Sequence, residues 1–192
     1  MGLLLRVKNK IKYLLNSSIK PEMIGYTNWN SEKRIGLRIS NFSHLSNARE
    51  IILKDYVFIG HFNYLDGHSG LEIGEGVQVS NYVTIATHSS HNAIRMFGKK
   101  YGKLNKHDII QKGKVEIGDY TYVGPHVVIT PNTKIGKGCI ISAFSFVKGD
   151  IPDYSIVRGI PGEIIGTTKD IDNEFLKKYP DLEESYYQSR NF

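Results

Sequence analysis

Six branched aliphatic residues, Ile117, Val123, Ile129, Ile135, Ile141 and Val147, recur at a spacing of six. Helices repeat near 3.6 residues and strands near 2, so neither alone carries a strict period of six. The pattern needs a unit of short strand and turn that stacks on copies of itself. Four places after each aliphatic sit Thr121, Val127, Thr133, Cys139 and Ser145, all small or medium. Gly118, Gly124 and Gly136 directly follow large positions. Glycine is expected there because it adopts turn conformations that other residues resist.

Six residues of extended chain span roughly 20 Å at about 3.3 Å each. Three such sides close a triangular coil, with large aliphatics stacked inside and small residues where the wall is tight. The period also appears earlier, with slips of two residues that a corner can absorb. Ile73, Val79 and Ile85 keep it, with Val77 and Val83 at the small offset. Leu53, Ile59, Leu65 and Leu71 keep it in another phase, and Ile39, Leu45 and Ile51 form a weaker first coil. The fold class expected is an all-β solenoid over 35–166, broken by an insert at 86–114. An N-terminal helical or irregular segment over 1–34 and a C-terminal helix over 167–192 flank it.

Length and charge narrow the reading further. At 192 residues a single domain is expected. One cysteine excludes an internal disulfide, and Cys139 is expected to point inward and be inert. No run of eighteen apolar residues marks a membrane span. With no signal-peptide pattern, a cytoplasmic location is expected. Leu3, Leu4, Val7, Ile11, Leu14 and Leu15 share one helical face among Arg6, Lys8, Lys10 and Lys12. That face would cover the open end of the coil or make peripheral contact with anionic lipid. Near the other end, Asp170 or Asp172 could cap a helix that Pro180 breaks.

Residues 86–114 lack the period. They carry Arg95, Lys99, Lys100, Lys103, Lys106, Lys112 and Lys114 against Asp108 alone, which equals the chain's whole net charge of +6. An anionic ligand is expected beside them: coenzyme phosphates, a nucleotide-sugar pyrophosphate or an acidic glycan. The paucity of aromatics in the insert argues against nucleic acid. Long inserts on rigid scaffolds tend to carry function. This one opens with Ala86-Thr87-His88-Ser89-Ser90-His91. Histidine suits proton removal because its pKa lies near working pH.

The repeat closes on Ile151-Pro152-Asp153-Tyr154-Ser155-Ile156-Val157-Arg158-Gly159-Ile160-Pro161-Gly162. Hexapeptide repeats with this ending resemble the left-handed β-helix acyltransferases, and among them the galactoside, maltose and polysaccharide O-acetyltransferases. The resemblance implies left-handed coiling, an exception to the usual right-handed crossover. It implies acetyl-CoA as cosubstrate without a metal, and a homotrimer with the active site between subunits. It also implies direct acetyl transfer to a sugar hydroxyl, in surface polysaccharide (capsule or lipopolysaccharide) synthesis. His88 matches the family's catalytic histidine, and His91 a second histidine at the acceptor.

Asn63, in His61-Phe62-Asn63, resembles a sugar-binding asparagine, with a turn-forming asparagine as the alternative. Asp66 is a further acceptor-side candidate that could equally orient His88 or form a turn with Gly67. For the coenzyme, Ala143 matches a residue whose backbone binds the pantetheine arm, and Ile160 and Pro161 match the loop that packs on adenine. Gly124 is a further coenzyme-side candidate, and Pro125 after it stands where the family can use a backbone N–H toward the thioester oxygen, which proline lacks. Lys148, Arg158 and Lys169 are offered for the phosphates.

Other readings follow from the same residues. One is N-acetylation of an amino sugar on a nucleotide carrier. A second is a zinc enzyme like the γ-class carbonic anhydrases, with His88, His91 and His126 as its set, although their spacing departs from that family. A third is a non-catalytic scaffold.

Overall fold

The computed structural model describes residues 20–103 and 108–190, together with Val7. The chain visits three sheets in turn and winds into a coil of triangular section. The first face runs through Glu32–Ser40, Phe58–Ile59, Gln78–Val79, Tyr122–Val123, Ile140–Ile141 and Ser155–Arg158. The second runs through His44–Ser46, Tyr64–Asp66, Thr84–Ile85, Val128–Ile129 and Phe146–Val147. The third runs through Ile51–Leu53, Leu71–Ile73, Val115–Ile117, Thr133–Ile135 and Asp150–Ile151. Within these sets every pairing is parallel.

Each face has an aliphatic column of the six-residue period, and the third face has a second, Ile51, Leu71 and Val115. Ile39, Ile59, Val79, Val123, Ile141 and Val157 stack on the first. Leu45, Leu65, Ile85, Ile129 and Val147 stack on the second. Leu53, Ile73, Ile117, Ile135 and Ile151 stack on the third. All are buried except Leu45, which is partly so. The period of six is therefore the length of one side. Ile59 pairs with Val79, twenty residues on, whereas Val123 pairs with Ile141, eighteen on. The two-residue slips are longer corners in the early coils. Thr121, Val127, Thr133, Cys139 and Ser145 all point into the core.

The glycines after the large positions do a different job from the one expected. Gly118, Gly124 and Gly136 are absent from the left-handed region. A Cβ on Gly118 would lie 2.5 Å from Lys137 N, and one on Gly136 2.5 Å from Asp153 N. Close approach of the next coil's backbone excludes the side chain. Left-handed corners instead carry Tyr56, Phe62, Tyr82, Tyr120, His126, Asn132, Phe144 and Tyr154. That conformation costs about 1–2 kcal/mol per residue. Between the first and second faces the rings of Phe62, Tyr82, His126 and Phe144 stack at 5.1, 4.9 and 4.6 Å. Aromatic stacking returns about 0.5–1.5 kcal/mol per pair and offsets much of the strain.

The ends depart from the organisation expected. Within 1–34, Met23–Trp29 is a strand antiparallel to Glu32–Ser40, not a helical or irregular stretch. Asn30 and Ser31 between them both have positive φ, the geometry of a tight primed hairpin turn. Trp29 anchors the hairpin by donating from Nε1 to the Ile51 carbonyl at 2.7 Å. The helix expected over 3–15 lies outside the described residues, apart from Val7. At the far end Glu163–Thr167 adds antiparallel to Ser155–Arg158. Hairpins thus flank both ends of the first face, whose outermost strands are Met23–Trp29 and Glu163–Thr167.

Helix Thr168–Lys178 follows, and Glu183–Arg190 after it. Its cap is Thr167, whose Oγ1 accepts from Lys169 N at 3.2 Å, rather than Asp170 or Asp172. Among the described residues no helix is long and apolar enough to cross a membrane.

Gly118→Ala is predicted to lower the midpoint of thermal unfolding, because the obstructing atoms are backbone and cannot rotate away. The cost expected is about 1–3 kcal/mol, as for other overpacked sites. Calorimetry beside Gly25→Ala, where a Cβ meets nothing within 4 Å, measures it.

Candidate active site

The coil is interrupted at the corner between the second and third faces. After Thr84–Ile85 the chain departs as a strand, His88–Ser89, and returns antiparallel as Gln111–Lys112. His88 lies opposite Lys112. Gly113 N donates to Thr87 O at 2.9 Å and closes the base of this ribbon before Val115 rejoins the third face. The insert contains a helix, His91–Phe97, and a 3-10 segment, Gly98–Lys103. Ala93 of that helix is fully buried, and the helix packs against the 3-10 segment.

Asp66 lies one coil before His88, because Leu65 pairs with Ile85. Its carboxylate is 1% exposed yet accepts four hydrogen bonds. Oδ1 takes His68 N–H at 3.0 Å. Oδ2 takes Thr87 N–H at 3.1 Å, Thr87 Oγ1–H at 2.8 Å and His88 Nδ1 at 2.6 Å. Thr87 Oγ1 in turn accepts from Ser69 N at 3.0 Å. Burial pushes the Asp66 carboxyl up, but the bonds from His68, His88 and Thr87 outweigh it and hold it below the ordinary 3.8.

An ionised carboxylate can only accept, so Nδ1 of His88 carries the proton. The lone pair of the neutral ring is then at Nε2, on the far side from Asp66. The His88 side chain is 36% exposed. The His68 ring lies beside it with centroids 4.4 Å apart. A buried acid that fixes the tautomer of a half-exposed imidazole is the arrangement a general base requires.

Several residues expected at the acceptor stand elsewhere. Asp66 lies behind His88, with its oxygens bonded to His68, Thr87 and His88. Asn63 is 3% exposed and saturated. Its Nδ2 donates to Gly60 O and Ser80 O, and its Oδ1 accepts from Val83 N at 2.7 Å. It ties neighbouring coils together and has no free group for a sugar. His91 begins the insert helix, with Nδ1 2.8 Å from Ser89 Oγ. His126 stacks on another corner, so His88, His91 and His126 do not converge. Among the described residues no set of three ligating side chains is grouped for a metal ion. His68 is the site residue that went unnoticed; the Asp66-Gly67-His68 turn is its only mark in the sequence.

The coenzyme candidates divide. Gly124 N donates to Ile141 O, and a Cβ there would lie 2.7 Å from Ala143 N. Gly124 is therefore a spacer, with no donor to offer. Ala143 beside it is exposed, and its N–H has no partner among the described residues. Ile160, 77% exposed, and Pro161 form a ledge that Gly162 N anchors to Phe146 O. Lys148 follows the second-face strand two coils beyond Ile85 and so lies on the His88 corner, roughly 10 Å along the axis. Arg158 ends a first-face strand and is exposed. Lys169 sits over the Tyr154 ring, 4.6 Å from its centroid.

The basic insert is also less uniform than its composition. Lys114 is bound to Glu72 at 2.8 Å and Glu116 at 2.5 Å, which raise its pKa and remove it from the free charge. Lys106 and the side chain of Lys103 lie outside the described residues. Lys112 is exposed and has no acid partner among the described residues. Cys139 is buried, and burial pushes its thiol up, which fits an inert core residue.

Two measurements separate these roles. Asn63→Ala leaves the buried Val83 N–H unpaired and is predicted to cost about 1–3 kcal/mol in denaturant unfolding. The depressed Asp66 pKa makes its contribution to stability complete above the ordinary carboxylate range. That contribution disappears as pH falls through the lower folded value. Urea midpoints of native protein and Asp66→Asn are therefore predicted to converge on acidification.

Residues 114–149 match the family model described as bacterial transferase hexapeptide, six repeats. The chain is 30% identical over 132 residues to galactoside O-acetyltransferase of Escherichia coli K12, covering 67% of this chain and 60% of that protein. It is 32% identical over 137 residues to serine acetyltransferase of Buchnera aphidicola from Acyrthosiphon pisum, covering 71% and 46%. The chain thus spans about half the length of these relatives. Among solved structures it resembles AntD, an N-acyltransferase from Bacillus cereus seen with dTDP and 3-hydroxybutyryl-CoA. That likeness has a TM-score of 0.56 at 23% identity, over 76% of this chain and 89% of AntD, and is one of fold. With a matched repeat over 114–149 and acetyltransferases among its relatives, the coil is similar to the bacterial transferase hexapeptide proteins.

Proposed function

We propose that this chain is an acetyl-CoA-dependent O-acetyltransferase whose acceptor is a sugar hydroxyl, with His88 as general base. The observation that carries the proposal is the Asp66–His88 pair: a buried, fully bonded carboxylate 2.6 Å from Nδ1 of a half-exposed histidine. The likeness to a galactoside O-acetyltransferase supports the substrate class. Left-handed winding, a homotrimer, a cytoplasmic location and a place in surface polysaccharide synthesis belong to the same proposal.

The chain's groups suit the coenzyme. An unpartnered backbone N–H at Ala143, the exposed ledge of Ile160 and Pro161, and the cations Lys148 and Arg158 match a pantetheine amide, a base and phosphates. Acetyl-CoA supplies the activated acyl group. Nε2 of His88 removes the proton from the acceptor hydroxyl as that oxygen attacks the acyl carbon, the C–S bond breaks, and the imidazolium returns the proton to the departing coenzyme thiolate. The Asp66 carboxylate stabilises the imidazolium so formed and keeps the ring from turning. No side-chain nucleophile is required, and Cys139 is buried in the core.

His88→Ala is predicted to lower kcat by about 10²–10⁴-fold, as loss of a general base does. Thiol release from acetyl-CoA across a panel of sugars, amino sugars and serine measures it. Retention of more than a tenth of the activity would contradict the assignment. A product whose acetate survives mild alkali would be an amide and would move the reaction to N-acetylation.

A further inference from the structure

We propose that Lys112 is a specificity-determining residue that binds an anionic group, phosphate or carboxylate, carried by the acceptor beside its reacting hydroxyl. The inference rests on the reading of His88 as the base and goes beyond it by naming the acceptor's charge. Its ground is the ribbon that interrupts the coil. His88 and Lys112 are directly opposed in an antiparallel pair. Opposed residues of such a pair project from the same face, with Cβ atoms about 4.5–5.5 Å apart. The imidazole and the lysine stem therefore leave the ribbon side by side on one face, which puts the flexible lysine within range of an acceptor held at His88.

That ammonium is uncommitted. Lys114, two residues on, is held by Glu72 and Glu116, whereas Lys112 is exposed and has no acid partner among the described residues. Its backbone is fixed instead: the Lys112 carbonyl accepts from Asn132 Nδ2 at 3.1 Å, and Gly113 N is tied to Thr87 O. The result is a cation with no acid partner among the described residues, on a strand anchored opposite the base.

The coenzyme's own phosphates are a poor match for this position. An acyl carbon within reach of His88 leaves the diphosphate a whole extended pantetheine arm away, far beyond the span of one lysine. Lys148 and Arg158, toward the C-terminal coils, are the cations placed for those phosphates. An anion on the acceptor, by contrast, lies within a few bonds of the attacking oxygen.

The test compares kcat/KM for a hexose, the matching hexose phosphate and the matching hexuronic acid, in native protein and in Lys112→Gln and Lys112→Arg. The native chain is expected to prefer one anionic acceptor by at least about tenfold, the size of one charge-assisted hydrogen bond. Which of the two is preferred tells phosphate from carboxylate. Lys112→Gln should erase that preference through the acceptor KM, with the acetyl-CoA KM held, and Lys112→Arg should restore most of it. Transfer with no preference for charge, or a Lys112→Gln effect confined to the acetyl-CoA KM, overturns the inference and leaves the His88 reading standing. Absence of transfer to every acceptor overturns both.

Discussion

Every other feature of this molecule depends on one spacing, that between successive coils. Parallel strands stack about 4.8 Å apart, so each aliphatic column must accept a like side chain directly above and below. Ile85, Ile129 and Val147 do so on the second face although 43 residues separate the first two. The same spacing removes the room for a Cβ at Gly118 and Gly136. It also brings the corner rings into stacking distance, so that strained left-handed corners are tolerated. One repeat length thus sets the core, the glycines and the aromatic corner together.

The candidate site uses this registration for chemistry. Asp66 and Thr87 belong to adjacent coils and meet only because the coils are in register. A carboxylate buried at that junction would be costly alone. Four donors make it tolerable, and one of them is the histidine it positions. The insert then leaves the coil through a ribbon that keeps His88 at the surface and sets Lys112 opposite. Rigid scaffold and functional loop meet within two residues, Thr87 facing inward and His88 outward.

Much of this was legible in the residues themselves. The columns could be read because burial imposes a period, and a period survives in a linear string. His88 stands out as a candidate because the period stops beside it. The roles of Asn63 and Asp66 were not legible in the same way. Both lie near the interruption and both are polar, and only the direction of each side chain separates a coil tie from a positioning acid. The hairpin at Met23–Trp29 escaped because an antiparallel strand pair leaves no period of six. Lys114 stands among the positive charges of the insert in the sequence, but Glu116, just past the insert's end, and Glu72, adjacent only after coiling, both bind it.

The central claim is that Asp66 acts on catalysis through His88. A double-mutant cycle on kcat, with Asp66→Asn, His88→Ala and the pair, tests it most directly. With folding verified by thermal melts, the account predicts a large loss for Asp66→Asn alone and no further loss when it is added to His88→Ala. Independent, multiplicative losses from the two substitutions would contradict it.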